Sequence, residues 1–144
     1  MVSGIAHLSF TVSDLEKSLH FYRDLLGFSL QFEAERSGPV TETIIGIPGV
    51  KIKIGMLALN DFSLEVIQYI YPQGQKLDLK TNNVGCTHLA FFVKDIKKTY
   101  QRLLATGVRF KSEPKVIQDG PLAGWKAAYL FDPDGITLEL MERP

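Results

Sequence analysis

Apolar and polar residues alternate along His7-Leu8-Ser9-Phe10-Thr11-Val12, and again along His88-Leu89-Ala90-Phe91-Phe92-Val93. The period of two is that of a strand with one buried face. Each stretch leads to an acidic residue, Asp14 or Asp95, placed to cap a helix. The offset between copies is 88 − 7 = 81 residues, and each histidine is one step out of phase with the Leu, Phe and Val of its strand. The imidazoles are therefore expected on the opposite face from the core.

The rest of the pattern predicts the same order of elements twice. In the first half, residues 5–12 are a strand. A helix follows with an apolar stripe of Leu15, Leu19, Tyr22 and Leu26, and Gly27 closes it. Residues 28–32 read as a second strand. Ser37 to Gly49 reads as a loop with one helical turn near Thr43–Ile45, and strands follow at 51–59 and 62–70. Pro72 to Asn83 is polar and aperiodic, a linker. In the second half, residues 87–93 are a strand and 96–106 a helix closed by Gly107. A strand begins at 108–110 and is interrupted at Pro114. Strands at 125–131 and 136–141 flank the turn Asp132-Pro133-Asp134-Gly135. The predicted fold is α+β: two tandem βαβββ modules, about 1–71 and 84–144, forming a curled mixed sheet of half-barrels around one cavity. Self-similarity at this spacing marks a duplicated module rather than a solenoid.

The last strands of the two halves carry matching triplets, Ser63-Leu64-Glu65 and Thr137-Leu138-Glu139. Each half thus supplies one His from its first strand and one Glu from its last. A single strand histidine is usually a hydrogen-bonded structural residue, and a single glutamate near a strand end is usually solvated. Four such residues at equivalent positions of a repeat favour ligation instead. Two imidazoles and two carboxylates suit one divalent ion, Zn, Ni, Fe, Mn or Co. His7, Glu65, His88 and Glu139 are the candidate ligands. Side chains sharing their face by alternation are Ser9, Thr11, Ile67, Tyr69, Phe92, Thr137 and Met141, a mixed apolar and hydroxyl wall suited to a small oxygenated or aromatic molecule. His20 has no counterpart in the second copy and reads as a surface residue.

Composition narrows the partners. Sixteen Lys+Arg balance sixteen Asp+Glu with no basic run, which disfavours nucleic acid and anionic membranes. Apolar runs fall well short of a membrane span, and the first residues do not read as a secretory signal. The single cysteine, Cys86, has no internal disulfide partner, which fits a reducing cytoplasm; it reads as a packing residue rather than a nucleophile. Trp125 reads as a core or interface residue.

The segments Phe21-Tyr22-Arg23-Asp24-Leu25-Leu26-Gly27-Phe28 and Asp132-Pro133-Asp134-Gly135-Ile136-Thr137-Leu138-Glu139-Leu140, with the duplicated His and Glu, resemble the vicinal oxygen chelate superfamily. That family includes glyoxalase I, methylmalonyl-CoA epimerase, extradiol dioxygenases, and fosfomycin- and bleomycin-resistance proteins. The resemblance covers essentially the whole chain. It implies that His7, Glu65, His88 and Glu139 hold one divalent metal, a set most similar to that of glyoxalase I. By the same resemblance, Glu139 or Glu65 shuttles a proton in a lyase or isomerase reaction through a metal-bound enediolate. Two alternatives are implied: an Fe(II) extradiol-type dioxygenase using His7, His88 and Glu139, and a resistance protein that sequesters a small molecule. Family members of this length often form homodimers, so a homodimer is expected. The loops 38–49 and 118–124 are long enough to act as lids.

Overall fold

The computed structural model describes all residues, Met1–Pro144, as two compact units, Met1–Lys76 and Leu77–Pro144. Each unit has the βαβββ order that the repeat predicts.

In the first unit the strands are β1 (Leu8–Val12), β2 (Ser29–Ser37), β3 (Lys51–Leu59) and β4 (Phe62–Tyr71), and the sheet order is β1-β4-β3-β2. The first strand runs parallel to the last, and the remaining pairs are antiparallel. Phe10 and Val12 of β1 and Leu64 and Val66 of β4 turn to one face and are almost fully buried. Helix α1 (Leu15–Leu19) lays Leu15 and Leu19 on that face. Gly55 of β3 makes the fit possible. A Cβ built there would stand 2.8 Å from Leu19 Cδ2 and 3.3 Å from Leu15 Cδ1 and Val66 Cγ2.

The predicted helix does not continue to Gly27 as an α-helix. From His20 to Leu25 it widens into a π-helical turn, and Leu26 N–H donates to Phe21 O at 3.2 Å. The physical reason lies in two adjacent aromatic side chains that must both be buried, Phe21 and Tyr22. The wider turn lets them pack edge to face, with centroids 5.1 Å apart, while Tyr22 reaches Phe10 at 6.3 Å and Phe28 at 6.0 Å.

Two further differences from the sequence expectation lie between residues 29 and 49. Strand β2 extends to Ser37, because β3 offers ladder partners as far as Lys51, with one register shift between Leu30 and Phe32. The expected loop then holds a full helix, α2 (Pro39–Ile45). Pro39 presets the first turn, and Gly46 at φ 75° supplies the left-handed cap.

The second unit repeats the arrangement with β5 (Leu89–Phe92), α3 (Ile96–Ala105), β6 (Lys115–Val116), β7 (Lys126–Phe131) and β8 (Thr137–Glu142), in the order β5-β8-β7-β6. Its core is Ile96, Leu103, Val108, Ala128, Leu130, Leu138 and Leu140. The expected strand at 108–110 is reduced to a single bridge between Phe110 and Leu130, and pairing resumes beyond Pro114. No helix of the chain is long and apolar enough to cross a membrane.

Helices α1 and α3 are each capped twice, in the same way. Asp14 accepts from Lys17 N–H at 3.1 Å, and Asp95 accepts from Lys98 N–H at 2.9 Å. A second acceptor reaches the first helical N–H from the sheet: Gln68 Oε1 takes Leu15 N–H at 3.0 Å, and Glu142 Oε2 takes Ile96 N–H at 2.6 Å. Each lies three residues beyond its unit's candidate glutamate (68 − 65 and 142 − 139). The Ile96 N–H, followed by the Lys126 ammonium, holds the Glu142 carboxyl below its ordinary pKa. A depressed folded value means that this stabilisation is complete above the unfolded glutamate value of about 4.3, and is lost as pH falls through the lower folded value. Glu142→Gln keeps the acceptor, as Gln68 does naturally, and should flatten the acid limb of the stability curve. Glu142→Ala removes the acceptor and should melt earlier at every pH. Thermal melts between pH 3 and 7 check this, and identical acid limbs for wild type and Glu142→Gln would refute it.

Candidate functional site

The parallel pairing of first and last strands places the repeated residues. In the first unit Ser9 lies opposite Glu65 and Thr11 opposite Ile67. In the second Ala90 lies opposite Glu139 and Phe92 opposite Met141. The histidines do not sit within the strands as expected. Each is the residue immediately before its strand, and its ring reaches the glutamate of the neighbouring strand. His7 Nε2 is 3.4 Å from Glu65 Oε2, and His88 Nε2 is 3.3 Å from Glu139 Oε2. The carboxylates are well covered, at 14% and 13% side-chain exposure, and the imidazoles are open at 38% and 41%. Two independent halves of the chain thus build the same His–Glu pair with nearly the same geometry.

The pair geometry fits ligation. Two ligands on one tetrahedral or octahedral cation, each about 2.1 Å from it, lie roughly 2.9–3.4 Å apart. The donors are also the right kind, since imidazole nitrogen with carboxylate oxygen suits borderline divalent ions. Each unit by itself brings together two such groups, and no set of three or more His, Cys, Asp or Glu stands within reach of a common ion.

The expected wall residues fall in different environments. Ser9 and Thr11 are exposed, and Ile67, Tyr69 and Met141 are half-buried. Phe92 is 61% exposed, with the Arg143 guanidinium 4.3 Å above its ring and Trp125 5.7 Å away. Thr137 is buried, and its Oγ1 has no hydrogen-bond partner.

Sequence reasoning misses two residues beside the second pair. Tyr129 is opposite Glu139 across the β7–β8 ladder, and its ring centroid is 5.3 Å from that of His88. Burial first, and the Glu139 carboxylate second, push its phenol above the ordinary value. Lys111 lies over the Tyr129 ring, with Nζ 5.2 Å from the centroid. A signal for Tyr129 was present, because a hairpin closing at Asp132–Gly135 sets residue 129 against residue 139 by simple counting. No such arithmetic reaches Lys111, which arrives across an irregular segment.

The family model "Glyoxalase/Bleomycin resistance protein/Dioxygenase superfamily" matches residues 4–140. A "2-epi-5-epi-valiolone epimerase" from Actinomyces sp is 29% identical, over 98% of this chain and 80% of its own. A "Probable lactoylglutathione lyase" from Vibrio cholerae is 33% identical, over 96% of this chain and 89% of its own. Among solved structures, a glyoxalase family protein from Bacillus cereus superposes with a TM-score of 0.85 at 21% identity, covering 99% of this chain and 95% of that one.

Proposed function

The chain belongs to the glyoxalase/bleomycin-resistance/dioxygenase superfamily, and from that premise we propose that it is a divalent-metal-dependent lyase or isomerase acting on a small oxygenated molecule. The observation that carries this reading is the His–Glu pair built twice, at equivalent positions of two units. His7 with Glu65, and His88 with Glu139, are the ligand pairs for a divalent ion. When bound, the ion supplies Lewis acidity toward substrate oxygens. The chain supplies the rest. A covered carboxylate oxygen, of Glu139 or of Glu65, is the proton carrier. The open edges of His7 and His88 leave the substrate a way in. The exposed Ser9 and Thr11 hydroxyls, two residues apart on the Glu65 side of the first sheet, are available to hydrogen-bond substrate oxygens.

Lyase and isomerase activities are kept together because the two kinds of relative share one requirement. An epimerase removes and returns a proton at a carbon centre, and a glyoxalase-type lyase moves a proton between adjacent carbons. A carboxylate that exchanges a carbon-bound proton serves either. We also propose that the chain works as a homodimer in the cytoplasm, and sedimentation across a dilution series checks the first point.

The primary experiment is calorimetric titration of chelator-treated protein with Mn(II), Zn(II), Ni(II) and Co(II). Saturable binding is expected, and His7→Ala should weaken it by roughly 100-fold or more, since even partners that only orient metal ligands are worth 10–100-fold. Failure of all four ions to bind would sink the reading. Solvent deuterium appearing at a substrate carbon next to a carbonyl would identify the proton-transfer class. Oxygen uptake with catechols and ferrous iron would instead identify a dioxygenase.

A further inference from the structure

The two units share the His–Glu pair but differ beside it. In the first unit the ladder row through Glu65 continues to Met56 and then to Phe32. The row through Ser63 continues to Ala58 and then to Ser29. Beyond Glu65, neither row carries a charge. In the second unit the row through Glu139 continues to Tyr129, whose carbonyl accepts from Lys111 N–H at 2.8 Å. The row through Thr137 continues to Phe131, whose N–H donates to Arg109 O at 2.9 Å. The repeat therefore does not require cations here, and only one unit has them.

Arg109 and Lys111 flank the single bridge from Phe110 to Leu130, so their side chains rise on the Tyr129 and Phe131 face. Lys111 Nζ stands 5.2 Å from the Tyr129 centroid and 5.7 Å from the Phe131 centroid. The Arg109 guanidinium carbon stands 5.3 Å from Phe131. Neither cation has a carboxylate within ion-pair distance, in contrast to Lys115 with Glu113 and Lys126 with Glu142. The only hydrogen bond from Lys111 Nζ goes to the Thr81 hydroxyl at 3.2 Å. Two unneutralised cations, held against aromatic faces, make a preset anion receptor, because the rings restrain the side chains without cancelling their charge.

We propose that Lys111 and Arg109, on the Tyr129–Phe131 ring platform, form a subsite for the single carboxylate or phosphate of a small substrate whose reactive oxygens lie at His88 and Glu139. This rests on the metal-centre reading of the preceding section and names its substrate class. Two strand spacings of about 4.8 Å separate the Glu139 backbone from that of Lys111. The substrate thus carries its anion roughly 10 Å from the reacting carbons at most, with a flat or apolar spacer lying on Tyr129 between them.

The test uses the full chain, metal-free and Zn(II)-loaded, with phenyl phosphate, benzoate and neutral benzyl alcohol as probes. Binding is read from amide and ring chemical shifts. Phenyl phosphate or benzoate should shift the Lys111 amide and the Tyr129 ring in the metal-free protein and bind more tightly than benzyl alcohol. The anion binding should weaken with salt. Whichever anion binds more tightly identifies the substrate's charged group. Lys111→Gln with Arg109→Gln should weaken anion binding at least tenfold while leaving the metal titration unchanged. Lys111→Arg should retain most of it and serves as the folded control. Equal binding of the neutral probe and both anions, or full anion affinity in the double Gln variant, overturns the subsite. Failure of metal titration beside intact anion binding sinks the metal reading instead, so the two outcomes are separable.

Discussion

Glu139→Gln should abolish turnover and cut divalent-metal affinity by two orders of magnitude or more, with little change in melting temperature. The side chain is well covered, stands 3.3 Å from His88 Nε2 and lies opposite Tyr129 in the sheet. Gln conserves its shape and can still accept a hydrogen bond, so packing survives. What is lost is the negative charge that attracts a cation and the oxygen that carries a proton. General-base removal alone costs typically 10²–10⁴ in rate, and loss of an anionic ligand adds to this. The same change at Glu65 should weaken metal binding but discriminates the proton carrier. If Glu65→Gln retains activity on restoring metal by excess, Glu139 is the base; the reverse assigns Glu65. Calorimetry with Zn(II) and a solvent-exchange assay provide the two readouts. Unaltered metal affinity in both variants would end the case for either carboxylate as a ligand.

Gly55→Val should destabilise the protein by about 3 kcal/mol, and Gly55→Ala by about 1 kcal/mol, through overpacking against α1. The usual expectation for glycine in a strand runs the other way, since alanine there gains roughly 0.5–1 kcal/mol from reduced chain entropy. The sign is therefore diagnostic. A Cβ at 2.8 Å from Leu19 Cδ2 pushes on a side chain that is itself 1% exposed, with Leu15 and Val66 closing the other sides. Helix α1 must lift or Leu19 must leave its rotamer. Urea unfolding measures the change. A Gly55→Ala protein as stable as wild type would show that the helix yields freely.

How much of this was legible without coordinates differs from residue to residue. The βαβββ repeat, both cap aspartates and the recurrence of His and Glu were visible, because period-two alternation, helix capping and self-similarity are read directly along the chain. The length of β2 was not, since only its partner β3 tells it where to stop. The π-turn at His20–Leu25 was not, since a 3.6-residue stripe ignores the demand of two adjacent buried rings. The paired sheet-to-helix caps from Gln68 and Glu142 join residues 53 and 46 positions apart, beyond any local pattern. Lys111 and Arg109 reach β7 across a segment without regular pairing, so their meeting with Tyr129 and Phe131 left no periodic trace.

The sequence by itself determined the candidates in each half: an imidazole out of phase with the apolar residues of the first strand, and a carboxylate one residue after a core leucine in the last. Only the tertiary structure decided that these two are neighbours. Strand order β1-β4-β3-β2, with its copy β5-β8-β7-β6, sets the first strand parallel against the last. That choice is made by burial of Phe10, Val12, Leu64 and Val66 on one face beneath a helix, and of Leu138 and Leu140 in the copy. The hydrophobic effect selects the pairing on the covered face. The ladder register then fixes, on the other face, which histidine reaches which glutamate.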